Sequence, residues 1–257
     1  MPGKKTAVAD PARSLALLWG THTKPGRSGL TLRAIVDTAI ELADANGLEA
    51  VSMRLVAEQL KAGTMSLYTH VPGKGELTVL MFDSVYGDLY GDVDEPARQP
   101  GGWRGAMEFV AKRNWEVLMR HPWIHDVPAV RSALGPNITL KYEAELRPLD
   151  GVGLTDVEMD STLNLIITHV HGTARTAAEH LATQRESGLT DAEWWLTTGP
   201  ALARYMGALA ERFPVAGRVG TAAGEQHQAP IDSEHALKFG LDRILAGVAL
   251  LIEERKN

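Results

Sequence analysis

The chain has 257 residues, of which 44% are hydrophobic and 23% charged, a composition typical of a soluble globular protein with one or two domains. It contains no cysteine, which excludes disulfides and thiolate metal sites. The apolar run at residues 15–19 is far shorter than the roughly 18 residues that a membrane span needs. We therefore expect a cytoplasmic protein without a membrane span.

The formal net charge of −6 is unevenly distributed along the chain. Residues 1–75 carry nine Lys and Arg against six acidic residues, a balance of +3, which leaves −9 for the remainder. Phosphate binding depends on a local basic patch rather than on total charge. The N-terminal part is therefore the candidate nucleic-acid-binding region.

Apolar residues recur with the 3.6-residue period of α-helices in nearly every segment, so we predict an all-α fold of about ten helices. Asp10 before Pro11 is a typical helix start, and Thr31 and Ser52 are expected to cap later helices. One longer helix is predicted over residues 74–90. Beyond residue 101 the predicted helices are longer.

Two capping boxes, in which a glutamate follows a threonine three residues later, predict helix starts in the C-terminal part. They are Thr155 with Glu158 and Thr190 with Glu193. Residues 199–200, a Gly-Pro pair, predict a helix interruption, and the Gly- and Ala-rich segment 216–230 predicts a mobile loop. Ser233 is the expected start of a final helix with an unbroken aliphatic seam.

Residues 52–74 have the pattern of two short helices joined by a tight turn. This arrangement lets one helix enter a DNA major groove about 12 Å wide while the other braces it. Val56, Leu60 and Leu67 are expected to form the interior. The residues able to point outward are Arg54, Thr64, Ser66, Tyr68, Thr69, His70 and Lys74. The alternative is a pair of short core helices in another kind of helical protein.

The segment 31–89 resembles the DNA-binding domain of the TetR family, most specifically in its Leu-Tyr-x-His-Val core at residues 67–71. The resemblance implies base contacts by Arg54, Thr64, Met65 and Ser66, and phosphate contacts by Tyr68, Thr69, His70 and Lys74. Lys61 departs from the family, which usually has glycine at this position. A lysine in the left-handed conformation would cost roughly 1–2 kcal/mol.

A basic arm precedes this segment. Lys24 and Arg27 stand in a thin, Gly- and Pro-containing stretch that can enter a minor groove, where the negative potential attracts arginine. The alternative is a solvated tail that does not contact DNA.

Past residue 100 the resemblance is weaker and implies a homodimer formed by the helices near 155–187 and 233–254. The aliphatic seam of the final helix agrees with this, although burial within one monomer is the alternative. A dimer would set two recognition helices roughly 34–36 Å apart and so select a palindromic operator.

A polar stripe along the predicted helix after residue 155 could orient a mostly apolar ligand. It consists of Asn164, Thr168, His171 and Arg175. Large side chains that could line the pocket are Trp115, Met119, Trp123, Trp194, Trp195 and Tyr205. The alternative for these residues is ordinary core packing and a solvated helix face.

No feature indicates catalysis, a metal or a cofactor. His169 and His171 point apart on a helix, and Pro122 separates His121 from His125, while phosphate-binding loops and nucleophile elbows are missing. We predict a ligand-responsive repressor that binds a palindromic operator as a dimer and is released by a small apolar or aromatic molecule. A constitutive DNA-binding dimer without effector and a helical enzyme are the alternatives.

The chain is accordingly divided into three predicted parts. Residues 1–30 form the basic arm with a short helix, residues 31–75 form the helix-turn-helix domain, and residues 76–257 bind ligand and dimerise.

Overall fold

The computed structural model describes residues 10–20, 30–127, 134–210, 212–227, 229 and 232–255. These residues form eleven α-helices and no strand, which confirms the all-α prediction. The helices are α1 (Pro11–Leu18), α2 (Leu32–Asn46), α3 (Met53–Gln59), α4 (Thr64–Tyr68), α5 (Lys74–Ser84), α6 (Gly102–Arg120), α7 (Pro136–Leu146), α8 (Asp156–Ser187), α9 (Asp191–Ala210), α10 (Pro214–His227) and α11 (Ser233–Glu254). Over these ranges no helix has the length and apolarity that crossing a membrane requires.

The N-terminal helices begin at the predicted caps. The carboxylate of Asp10 accepts from the backbone N–H groups of Ala12 and Arg13 at 3.0 and 3.3 Å. Thr31 and Ser52 likewise accept from N–H groups three residues later, at 3.1 and 3.2 Å. Each hydroxyl or carboxylate satisfies a donor that the first turn of a helix leaves free. The predicted starts of α1, α2 and α3 are confirmed.

Helix α5 lies between the two halves of the chain and is buried along most of its length. It ends at Ser84 rather than near residue 90, so that prediction is wrong. From Asp83 onward the backbone hydrogen bonds take the tighter 3-10 spacing. The N–H groups of Tyr86 and Gly87 donate to the carbonyls of Asp83 and Ser84, three residues earlier. Along this tighter path both Tyr86 and Tyr90 are buried.

A tertiary contact from α5 caps helix α7. No side chain caps α7 from its own N-cap residue, Gly135. Instead the carboxylate of Asp83 accepts from the N–H groups of Asn137 and Ile138, at 3.4 and 3.0 Å. Burial raises the pKa of Asp83, while these hydrogen bonds act in the opposite direction. A Cβ atom at position 135 would overlap this carboxylate, so glycine permits the contact.

Helix α8 is the axis of the C-terminal half and packs against α6 and α11. Both predicted capping boxes form, with Glu158 and Glu193 accepting from the N–H groups of their threonines at 2.8 Å. Two other predictions are wrong. Helix α9 continues through Pro200, although a proline inside a helix removes one hydrogen bond and crowds the preceding turn. Most of segment 216–230 belongs to helix α10. Its glycines disfavour a helix, but α10 packs against α9, and this tertiary contact stabilises it.

Replacing Gly135 by alanine should lower the free energy of unfolding by about 1–3 kcal/mol, because the methyl group displaces the Asp83 carboxylate from α7. Urea unfolding measures the change. Gly220→Ala in α10 is the control, since nothing lies within 4 Å of the added atom. That variant should be neutral or stabilised by up to about 1 kcal/mol. Equal stabilities of the two variants would contradict the contact.

Candidate nucleic-acid interface and interior polar cluster

Helices α3 and α4 form the helix-turn-helix, and Lys61 closes the turn between them. Lys61 has a φ of 51°, in the left-handed region expected from its position. The N–H of Lys61 donates to the carbonyl of Glu58 at 3.1 Å, and the N–H of Ala62 donates to that of Ala57 at 2.9 Å. This pair of hydrogen bonds is a Schellman motif, which satisfies the carbonyls at the end of α3. The turn therefore forms despite the cost of a non-glycine residue.

Buried aliphatic side chains fix the angle between the two helices. Val56 and Leu67 are fully buried between α3 and α4, and Val71 is buried just beyond α4. Their burial leaves the opposite side of α4 exposed to solvent. Met65 is 77% exposed there, an unusual position for a large apolar side chain that suits contact with a thymine methyl group.

The structure places the predicted DNA-contacting residues around α4 in several environments. Arg54 is exposed, and no described residue pairs with its guanidinium. The hydroxyl of Thr69 donates to the carbonyl of Ser66 at 2.6 Å. The ammonium of Lys74 donates to the carbonyls of Leu48 and Glu49, at 2.9 and 3.3 Å. Lys74 thus joins α5 to the segment after α2.

The remaining predicted contacts are distributed as follows. Tyr68 is exposed, and Thr64, Ser66 and His70 are partly exposed. The arm residues Lys24 and Arg27 lie outside the described residues, and their minor-groove contact stays a prediction from the sequence.

Comparison with known families agrees with this geometry. Residues 35–79 match the family of bacterial regulatory proteins called tetR, and residues 95–252 match the tetracyclin repressor-like C-terminal domain. The chain belongs to the TetR family of transcriptional regulators.

Individual relatives of this TetR-family chain cover nearly its whole length. The HTH-type transcriptional repressor DrrR1 of Streptomyces coeruleorubidus is 40% identical, over 96% of this chain and 89% of the relative. Apo ActR of Streptomyces coelicolor has a TM-score of 0.68 at 28% identity, over 90% of this chain and 99% of ActR. ActR in complex with actinorhodin has a TM-score of 0.69 at 29% identity, over 87% and 98%. The protein is a transcriptional regulator and not an enzyme.

Several polar side chains donate hydrogen bonds to one buried carboxylate in the C-terminal half of this chain. Glu145 of α7 is 1% exposed. It accepts hydrogen bonds from Tyr90, Asn114 and Lys141 at 2.9, 2.7 and 2.7 Å. Three donors on a buried carboxylate offset much of the free energy lost when it leaves water.

Two histidines extend this interior polar cluster, which we define as Tyr90, Asn114, His125, Lys141, Glu145 and His171. The rings of His125 and His171 meet edge to face, with centroids 6.0 Å apart. Burial lowers the pKa of His171 to about 4 and also lowers that of His125, so both are neutral at pH 7. Two buried atoms of the cluster, Asn114 Oδ1 and His125 Nε2, have no hydrogen-bond partner among the described residues.

Of the four residues in the polar stripe of α8, one faces the protein interior and three face solvent. His171 faces the interior polar cluster, whereas Asn164, Thr168 and Arg175 are exposed. The amide of Asn164 donates to Asp160 at 2.9 Å, and Arg175 pairs with Glu179 at 3.0 Å. These surface contacts agree with a solvated helix face for three of the four residues.

The predicted aromatic lining is dispersed. Trp115 and Met119 are partly buried against the core. Trp123 is buried, and its indole N–H donates to Asp44 of α2 at 2.7 Å. Trp194 and Trp195 pack edge to face with centroids 5.2 Å apart, and Tyr205 is 72% exposed. The structure of the single chain does not bring these side chains into one pocket.

The sequence interpretation missed four members of the interior polar cluster. They are Asn114, Lys141, Glu145 and Tyr90. His125 was considered only as a metal ligand, and among the described residues no group of three or more His, Cys, Asp or Glu is placed to hold a metal ion. The spacing of Lys141 and Glu145 was the available signal, but such a pair is usually on the surface.

Because burial lowers the pKa of His171 to about 4, the free energy of unfolding should decrease at acidic pH. In the unfolded chain this histidine binds a proton below about pH 6.5, whereas in the folded chain it stays neutral to a lower pH. The resulting stabilisation is present above pH 6.5 and is lost as the pH falls toward 4. Urea unfolding of wild type should show a loss of about 1–3 kcal/mol over this interval.

The variant His171→Leu should lose less stability over the same pH interval, because no imidazole remains to be protonated. Thr168→Leu, an exposed position on the same helix, is the control and should keep the wild-type pH dependence. Parallel curves for His171→Leu and wild type would show that other groups cause the acid sensitivity.

Proposed function

We propose that the protein is a ligand-responsive transcriptional repressor that acts in the cytoplasm and binds a palindromic operator as a homodimer. The exposed recognition helix α4 carries this proposal. Arg54 has no ion-pair partner in the described part of the chain, whereas Arg33 and Arg104 pair with acids on their own helices. A free guanidinium on α3 and an exposed Met65 on α4 suit contact with base edges.

Exposed aliphatic and aromatic side chains on α8 and α11 support a dimer. Val157 and Leu165 of α8 are 75% and 52% exposed, and Phe239 and Leu250 of α11 are 56% and 62% exposed. Since α8 and α11 pack against each other, these side chains lie on one helical pair whose outer side a two-fold mate can cover. In such a dimer the two recognition helices would face successive major-groove turns of the DNA at a palindromic operator.

The interior polar cluster supports an effector. The unpaired atoms Asn114 Oδ1 and His125 Nε2 are buried, so a mostly apolar or aromatic molecule that entered here with one or two polar groups would satisfy them. ActR, which is 28% identical to this chain, has been solved in complex with (S)-DNPA as well as with actinorhodin. A constitutive DNA-binding dimer would leave these two unpaired atoms unexplained.

The route from effector to DNA runs through α7 and α5. Lys141 and Glu145 of α7 belong to the interior polar cluster, and the first turn of the same helix is held by Asp83 of α5. Helix α5 begins at Lys74, six residues after the end of α4. An effector that moves α7 would therefore shift α5 and change the spacing of the two recognition helices. A coupling of about 1–3 kcal/mol would suffice as a switch.

Arg54→Ala should weaken binding to the operator by about 1–3 kcal/mol per protomer and relax sequence preference at one base pair of each half-site. Fluorescence anisotropy with duplexes that flank the protein's own coding region measures this. Arg175→Ala, on α8, is the control, because it removes a surface arginine away from α4. Equal operator affinities of both variants would contradict the base contact.

Small aromatic compounds that raise the unfolding temperature should weaken operator binding by about five- to 150-fold. His125→Phe should lower the affinity for such a compound at least about tenfold, because it removes the unpaired Nε2 atom. Asn164→Ala, an exposed position on α8, should leave that affinity unchanged. Compounds that bind without changing operator affinity would favour the constitutive dimer.

A further inference from the structure

A cavity of about 250 Å³ lies between α1 and the C-terminal end of the recognition helix. It is lined by Arg13, Ala16 and Leu17 of α1 and by Tyr68, Thr69, His70 and Pro72. Three of these residues, Tyr68, Thr69 and His70, are proposed phosphate contacts. Helix α1 therefore borders the region where the DNA backbone is expected.

Helix α1 is a fixed part of the DNA-binding domain and not a loose tail. The N–H of Asp10 donates to the carboxylate of Glu76 at 3.1 Å, which ties the start of α1 to the first turn of α5. Ser14 and Leu17 are buried against the domain. Trp19 lies just beyond the end of α1, and its indole N–H donates to the carbonyl of Leu134 at 3.0 Å. These contacts hold the side of α1 that carries Arg13 at the cavity.

We infer that α1 belongs to the DNA-binding surface and that a phosphodiester of the DNA backbone occupies this cavity, held by Arg13 together with Tyr68 and His70. The inference rests on the proposed DNA-binding function. It adds a basic residue, and an element outside the helix-turn-helix, to the surface that contacts DNA.

The chemistry of the lining suits a phosphodiester. Ala16, Leu17 and Pro72 give an apolar wall against which a deoxyribose can pack, while Arg13 offers a planar guanidinium with several donors for a phosphate. Over the described ranges no side-chain hydrogen bond or ion pair engages the phenol of Tyr68 or the imidazole of His70. Both are therefore able to donate to a phosphate oxygen.

One acidic group lies beside this site. The carboxylate of Asp10 is 3.6 Å from the guanidinium of Arg13, with side chains 48% and 67% exposed. An exposed pair of this kind contributes little to stability and is screened by salt. The arginine can therefore turn to a phosphate at small cost, although the carboxylate repels the same phosphate.

Arg13→Ala is the direct test, with fluorescence anisotropy of full-length protein on the operator duplex and on a scrambled duplex over a range of KCl concentrations. One lost phosphate contact per protomer should reduce the slope of log affinity against log salt by about one for each protomer bound. Affinity at low salt should fall by roughly three- to tenfold on both duplexes, because phosphate contacts do not depend on sequence. Unfolding temperature should stay at the wild-type value.

Arg98→Ala is the matched control. Arg98 also pairs with a nearby aspartate, Asp92, and the two side chains are 58% and 54% exposed. It follows the far end of α5, away from α4, and its removal changes the net charge by the same amount. Its slope and affinity should equal those of wild type.

Asp10→Asn tests the same contact in the opposite direction. Asparagine caps a helix about as well as aspartate, so α1 is kept while one negative charge beside the phosphate is removed. Operator binding should become about two- to fivefold tighter at low salt. A gain of affinity cannot result from partial unfolding.

Several outcomes overturn the inference. They are equal slopes and affinities for Arg13→Ala and Arg98→Ala, a fall in affinity with an unchanged salt slope, or no gain for Asp10→Asn. If wild type prefers no flanking duplex over the scrambled one, the proposed repressor function fails instead. The comparison of the variants on the scrambled duplex then still decides whether Arg13 contacts the backbone.

Discussion

Two buried carboxylates of helix α5 hold the N-termini of the helices on either side of it. Glu76, 8% exposed, accepts from the N–H of Asp10 at the start of α1, and Asp83, 3% exposed, accepts from Ile138 in the first turn of α7. A buried carboxylate without such partners would be strongly unfavourable, so each of these contacts keeps two helices together. Because α5 directly follows the recognition helix, the position of α4 depends on both.

Local signals predicted the DNA-binding domain well. The caps at Thr31 and Ser52 depend on backbone groups three residues away, so local sequence predicts them. The left-handed conformation of Lys61 was expected from the family resemblance, because the family usually has glycine at that position. The family resemblance then identified α4 as the recognition helix. Helix α1 was expected from its Asp10 cap, but its attachment to Glu76, 66 residues away, has no local signal.

The interior polar cluster was harder to predict, because its members come from separate elements that meet only in the folded chain. The stripe on α8 was placed correctly on one helix face. Which part of it is covered depends on where the segment Pro122–Asp126 packs against α8, and His125 of this segment meets the stripe at His171. In the same way the Lys141–Glu145 pair became interior because Tyr90 and Asn114 supply further donors to the carboxylate.

The distribution of charge distinguishes the DNA-binding domain from the interior polar cluster in the kind of partner each favours. Residues 1–75 have a charge balance of +3, whereas the remainder of the sequence has −9, so the N-terminal part of the chain is the part that electrostatics favours for contact with a DNA duplex. In the proposed complex, basic side chains near α4 would act on orientation as well as affinity, because repulsion by the rest of the chain disfavours approaches in which α4 faces away from the DNA. The proposed effector site, the interior polar cluster, needs no such charge. Its Glu145 is already paired, and its histidines are kept neutral by burial, so it favours molecules that can leave water without carrying a charge with them.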